Sequence, residues 1–272
     1  MTARPLLEAR SVSKVYRRRT SVWRTGTDVR AVDAVTFTLA AGERVGLVGE
    51  SGCGKTTLAK LLIGLLIPTS GDVTLDGISR TRLHGAALCS ARRKVQLVFQ
   101  DPTNSLNPLM TVEDVLSEPL IIHGLARSAS RPQRVSELLA DVQLPENYRR
   151  RLPRELSGGE RQRVGIARAL ATNPEALICD EPIASLDLSI GAQILELLRR
   201  LCRKRRMALL FISHDLRAVA SLCERIVVMQ QGMIVEAGPT QQLLARPGHP
   251  YTTLLLRSAL LDLDAPCSPL GS

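Results

Sequence analysis

The sequence predicts an α/β fold: a core built on a mixed sheet, an antiparallel β subdomain and a helical subdomain. Three observations predict it. Residues 45–48, 176–179 and 209–212 are continuous apolar runs, the pattern of parallel strands buried on both faces. Residues 6–12 and 32–39 alternate apolar with polar, which marks half-exposed antiparallel strands. Between residues 101 and 167 the periodicity turns helical, over 112–122 and 133–142. Aromatic residues are only 3% of the 272 while hydrophobic residues are 44%, so Leu, Val, Ile and Ala must fill the core. That composition suits strands covered by helices.

In chain order, the first loaded strand end follows residues 45–48. Gly49-Glu50-Ser51-Gly52-Cys53-Gly54-Lys55-Thr56 matches G-x-x-x-x-G-K-[ST] in full, and the next residues read as helix. Glycines at 49, 52 and 54 let backbone N–H groups approach phosphate oxygens, and the helix N-terminus adds its positive end. Lys55 is placed to reach the β- and γ-phosphates of a nucleotide. Thr56, with Thr57 beside it, starts the helix and can set its hydroxyl on Mg²⁺.

The segment Val95-Gln96-Leu97-Val98-Phe99 ends at Gln100. A turn-rich stretch follows, Asp101-Pro102-Thr103-Asn104-Ser105-Leu106-Asn107-Pro108, which favours a shaped loop. Further on, Ser157-Gly158-Gly159 directly before a helix builds a second anion-binding N-terminus. Asp180 and Glu181 close the run 176–179. One carboxylate there can hold Mg²⁺ while its neighbour, facing another way, polarises a water. Ser213-His214-Asp215 closes the run 209–212, which makes three loaded strand ends able to converge on one ligand. Residues 226–229 and 233–236 around Gln230-Gln231-Gly232 read as a hairpin.

On these motifs, above all Leu156-Ser157-Gly158-Gly159-Glu160-Arg161-Gln162-Arg163, the chain resembles the ATPase subunits of ATP-binding-cassette (ABC) transporters over nearly its whole length. The resemblance implies a P-loop NTPase core (1–100 and 168–240), a helical ABC-specific subdomain (101–167) and a C-terminal extension (241–272). It also implies a head-to-tail dimer in which Ser157 and Gly159 act in trans on ATP held by the partner's phosphate loop. Gln100 then matches the loop glutamine that senses Mg²⁺ and the membrane subunit, and Tyr16 the aromatic platform for adenine. Ser185-Leu186-Asp187 matches the segment crossing the interface, His214 the switch histidine, and Glu181 the residue that activates water.

Gln100-Asp101-Pro102, Ser105-Leu106-Asn107-Pro108 and Gly248-His249-Pro250-Tyr251-Thr252 narrow the resemblance to dipeptide, oligopeptide and nickel importers. Leu109 departs from the Arg common in those relatives. No cysteine-rich tail follows Cys267, so no iron–sulfur cluster is expected. Peptide is the first expected solute, with nickel or a metal chelate second. The resemblance leaves open whether the second ATPase is another copy or a sister chain. The expected partners are transmembrane permease subunits and, through them, a solute-binding protein.

A soluble ABC ATPase acting on DNA or ribosomes is the competing class, and the formal charge of +10 is compatible with it. Such relatives resemble tandem cassettes or carry a long coiled-coil insertion, whereas this chain has one cassette with a compact helical insert; no nucleic-acid partner is expected. A kinase or GTPase would need an acceptor lid or an Asn-Lys-x-Asp guanine reader, and the sequence has neither. Much of the charge lies in Arg17-Arg18-Arg19 and Arg149-Arg150-Arg151, read as solvated loops or helix ends that a protein beside the inner leaflet tolerates.

The first eight residues do not read as a secretory leader. The stretch 58–67, broken by Lys60 and stopped by Pro68, falls short of the roughly 20 residues that span a bilayer. Location at the cytoplasmic face of the inner membrane, through a partner, is therefore expected. The six cysteines show no C-x-x-C pair and read as reduced thiols. For Cys53 two readings stand: a small loop residue, or a thiol whose pKa the loop's N–H dipoles lower.

Overall fold

The computed structural model describes residues 5–17, 19–21, 24–25, 28–100 and 106–261. Its antiparallel sheet contains β1 (Leu7–Tyr16), β4 (Val29–Leu39), β6 (Ser70–Leu75) and β7 (Ile78–Ser79), in the order β4-β1-β6-β7. A short ribbon of β2 (Arg19–Ser21) and β3 (Arg24–Thr25) lies between the first two. The alternation predicted to end at Val12 gives way to a strand that runs on to Tyr16. Ser11 sits at φ 45° and the β1–β4 register shifts between Ala9 and Val12 and again before Lys14. These bulges break the two-residue period that a sequence reading follows.

The central sheet has six strands: β5 (Arg44–Val48), β8 (Val95–Val98), β9 (Ala176–Asp180), β10 (Ala208–Ile212), β11 (Arg225–Gln230) and β12 (Met233–Pro239), in the order β12-β11-β5-β10-β9-β8. All neighbours are parallel except β11 and β12, so the sheet is mixed as predicted. The β11–β12 hairpin turns on Gln231 (φ 47°) and Gly232 (φ 84°), the paired positive dihedrals of a type I′ turn.

The continuous apolar runs are explained by two hydrophobic layers. Leu177, Cys179, Leu209 and Phe211 pack into the layer beneath the helices. Ala176, Ile178, Leu210 and Ile212 pack on the opposite face, with Leu7, Phe37 and Leu39 of the antiparallel sheet. Strands β9 and β10 thus have no solvent face, which removes the alternation.

Helices α1 (Lys55–Leu62) and α2 (Gly85–Lys94) precede the helical subdomain, which holds α3 (Val112–Ile122), α4 (Arg131–Asp141) and α5 (Gly158–Leu170). Helix α4 begins two residues before the predicted 133, because Pro132 fits the first turn. Helix α5 passes the predicted boundary at 167 and ends at Leu170, against the central sheet. Then follow α6 (Leu188–Arg205), α7 (Leu216–Leu222), α8 (Thr240–Ala245) and α9 (Pro250–Leu261). No helix among the described residues is long and apolar enough to cross a membrane.

Candidate nucleotide-binding site

Strand β5 delivers the chain into the glycine-rich loop, which turns into α1 at Gly54 (φ 109°). A Cβ at Gly49 would lie 2.1 Å from the Met229 carbonyl oxygen, and one at Gly54 2.1 Å from that of Ala31. Both positions therefore demand glycine by close backbone approach. The Lys55 side chain is buried, and its Nζ donates to the carbonyls of Gly49 at 2.7 Å and Glu50 at 2.8 Å. These bonds hold the ammonium across the mouth of the loop.

A cavity of about 290 Å³ opens there, lined by Ala31, Ser51, Gly52, Gly54, Lys55, Thr56 and Thr57, with Gln100 and Glu181 opposite. The strand ends of β5, β8 and β9 thus meet at one place. Tyr16 is exposed and lies opposite Val29 on the neighbouring strand, two residues from Ala31. Glu50 differs from the other loop residues, since its N–H is given to the Tyr251 hydroxyl at 2.9 Å.

Asp180 ends β9, only 5% exposed, hydrogen-bonded to Thr56. Burial pushes its pKa above the usual carboxylate value and Glu181 adds to the rise, while Thr56 and Lys55 work against it. Its Oδ1 is buried without a partner. An orphaned, desolvated carboxylate oxygen beside a threonine hydroxyl suits a hard cation such as Mg²⁺, which takes oxygen ligands.

Glu181 follows at φ 45°, a left-handed conformation that costs a non-glycine residue about 1 kcal/mol. Its N–H donates to the Ile212 carbonyl at 2.9 Å. The turn brings Glu181 Oε2 to 3.4 Å from Gln100 Nε2 and 3.3 Å from His214 Nδ1. His214 is held by its neighbours: Ser213 N–H bonds to Leu47 O, and Asp215 caps α7 by accepting from Arg217 N and Ala218 N. The carboxylate so placed can accept a proton from water at the cavity edge.

Ser157, Gly158 and Gly159 do not line this cavity. Ser157 caps α5 in a reciprocal box with Glu160, whose carboxylate also takes the Tyr148 hydroxyl. A Cβ at Gly159 would lie 2.4 Å from Ile190 Cγ2, and one at Gly158 3.3 Å from Leu186. The glycines therefore serve packing against the 186–190 segment as well as an open N-terminus. Asp187 caps α6 through Ile190 N at 2.9 Å, and a second cavity of about 360 Å³ runs from Asp187 to His214.

Of the two readings of Cys53, the structure favours the small loop residue: Cys53 is buried, and that burial pushes its thiol pKa up against the lowering pull of Lys55. The cluster Arg149-Arg150-Arg151 lies at a helix end, as expected, closing the short turn Glu146–Arg150 with Arg150 exposed, but Arg149 pairs with Glu113 and Glu146, and Arg151 stacks 3.9 Å from the Tyr148 ring centroid. Residues 101–105, Arg18 and Cys267, named above, lie outside the described residues. Tyr251, read only as part of a subfamily motif, is a loop contact that sequence reasoning missed.

Comparisons with known proteins agree with this geometry. Residues 32–184 match the ABC transporter family. The chain is 43% identical to a peptide import ATP-binding protein of Brucella ovis over 94% of its own length and 79% of that protein's. It is 46% identical to the glutathione import ATP-binding protein GsiA of Pectobacterium atrosepticum over 93% of this chain and 41% of that one. Among solved structures, the dimeric ATP-binding cassette MJ0796 in a post-hydrolysis state bound to ADP and Pi superposes with a TM-score of 0.76 at 31% identity, covering 86% of this chain and 98% of the other. The chain belongs to the ABC transporter family.

Proposed function

We propose that this chain is the ATP-hydrolysing, energy-coupling subunit of an ABC import system for di- or oligopeptides. The observation that carries the reading is Glu181, held between Gln100 and His214 at the edge of the phosphate-loop cavity. In this reading the amides of residues 51–57 and Lys55 bind the triphosphate, Tyr16 stacks on adenine, Glu181 accepts the proton of the attacking water and His214 steadies that carboxylate. Asp180, Thr56 and Gln100 would hold Mg²⁺, which supplies charge neutralisation of the phosphates. Catalysis is then mainly positioning and electrostatics.

Ser157 and Gly159 act on the nucleotide of a second ATPase subunit, with Asp187 crossing between them. That they do not line the cavity of their own chain supports this, as does the dimeric state of the solved relative. The permease side is supported by a groove of about 290 Å³ beside Gln100, where Leu65, Phe99, Pro119 and Ile122 present apolar surface. A permease helix seated there would sense the Gln100 loop and place the chain at the cytoplasmic face of the inner membrane. A solute-binding protein would deliver peptide to those permeases, and the import relatives' names favour peptide over nickel. Reconstitution with its permeases tests the reading: peptide with its binding protein should raise ATP hydrolysis, whereas stimulation by nickel alone would reject peptide as the solute.

A further inference from the structure

The Gly248-His249-Pro250-Tyr251-Thr252 segment has no task in the reaction above, yet its tyrosine touches the phosphate loop. Tyr251 is 6% exposed, and its hydroxyl accepts the Glu50 N–H at 2.9 Å across 201 positions of chain. The segment carrying it is anchored twice. The Glu236 carboxylate on β12 accepts the backbone N–H groups of Gly248 at 2.8 Å and His249 at 3.1 Å. Pro250 opens α9, where a missing N–H costs nothing, and His249 Nδ1 accepts the Tyr251 N–H at 3.2 Å. Beyond it Leu255 and Leu256 pack onto the larger hydrophobic layer.

The peptide group that Tyr251 holds is the one joining Gly49 to Glu50. Its other end, the Gly49 carbonyl, accepts Lys55 Nζ at 2.7 Å. A peptide group is planar, so fixing its N–H fixes the direction of its C=O. The Glu50 carbonyl is occupied too, by Lys55 Nζ at 2.8 Å and Cys53 N at 3.2 Å.

We infer that Tyr251 is a positioning residue of the nucleotide site: through the 49–50 peptide it sets the Gly49 carbonyl against the Lys55 ammonium, and so presets where that ammonium meets the phosphates. The C-terminal extension thereby becomes part of the ATP-binding apparatus. The inference rests on residues 49–57 holding the triphosphate, as proposed above.

The test uses the full chain with Tyr251→Phe, which keeps the buried ring and removes the hydroxyl. Calorimetric titration with Mg-ATP should show a dissociation constant raised about three- to tenfold, the range for one lost hydrogen bond. Hydrogen exchange at the Glu50 amide should quicken while affinity for adenosine, which carries no phosphates, holds; a merely structural loosening of the site would weaken both. Wild-type affinity overturns the proposal whether or not exchange changes. A second variant, Glu236→Gln, loosens the segment from outside; it should weaken ATP binding in the wild-type background and add nothing to Tyr251→Phe. Additive effects overturn the linkage. Lys55→Ala separates the two readings: normal ATP binding by that variant removes the phosphate-loop assignment itself, whereas lost binding there with wild-type affinity in Tyr251→Phe removes only the role of Tyr251.

Discussion

His214 Nδ1 stands 3.3 Å from Glu181 Oε2, and the contact follows from strand register. Ile212 on β10 pairs with Asp180 on β9, so the residues just beyond each strand end arrive side by side. The Glu181 N–H bond to the Ile212 carbonyl locks the offset. A carboxylate steadied by an imidazole and an amide is ready to take a proton without reorganising.

Glu181→Gln keeps the shape of this triad and removes the proposed base. Turnover should fall at least about 100-fold, the usual scale for general-base loss, while ATP affinity changes less than about threefold. Single-turnover hydrolysis and equilibrium binding check the two halves separately. Unchanged turnover would remove Glu181 from the reaction.

Lys55→Ala deletes a buried ammonium that spans two loop carbonyls. ATP binding should weaken by about tenfold to 100-fold, as for loss of charged hydrogen bonds, and hydrolysis should stop. Calorimetry with ATP and with adenosine separates a phosphate effect from a general collapse of the site, because adenosine binding should hardly move.

Asp180→Asn exchanges a desolvated carboxylate for a neutral amide. The carboxylate's Oδ1 has no partner and burial opposes its charge, so the nucleotide-free protein should gain stability, by about 1 kcal/mol, while losing Mg²⁺-dependent stabilisation by ATP. Thermal melts with and without Mg-ATP measure both. A destabilised variant that still responds to Mg²⁺ would contradict the metal assignment.

Asp141, at the end of α4, ties the helical subdomain to the last turn of α6 through Lys204 at 2.7 Å and Arg205 at 2.5 Å. Burial pushes its pKa up, but the hydrogen bonds and charges of Lys204 and Arg205 outweigh that and hold it below the usual carboxylate value. A depressed carboxylate contributes stability above its unfolded pKa, near 3.9, and loses it as pH falls through the folded value. Asp141→Asn should therefore cost about 1 kcal/mol at pH 7, the exposed Lys204 partner being screened by solvent, and the gap from wild type should narrow below about pH 4. Urea denaturation across that range reads it.

Much of this was legible because single strands and loops carry local signatures. Leu177-Ile178-Cys179 and Leu209-Leu210-Phe211 are apolar without alternation since both faces are covered, and the phosphate loop is contiguous in sequence. What escaped depends on distant packing. The bulge at Ser11 concealed the length of β1, and Ile190 against Gly159 added a steric reason for a glycine read only as an anion contact. Tyr251 meets Glu50 from the far end of the chain, where no spacing rule reaches. Cys53 read ambiguously because its burial comes from neighbours beyond the loop.

In the proposed dimer, Ser157 of one subunit closes over ATP held by the phosphate loop of another. Disulfide trapping between Ser157→Cys and Ser51→Cys, in a background where Cys89 and Cys267 are serine and Glu181→Gln prevents turnover, measures it directly. A covalent dimer should form with Mg-ATP and not with ADP. A disulfide within one chain, or no Mg-ATP-dependent crosslink to either a second copy or the sister ATPase, would contradict it.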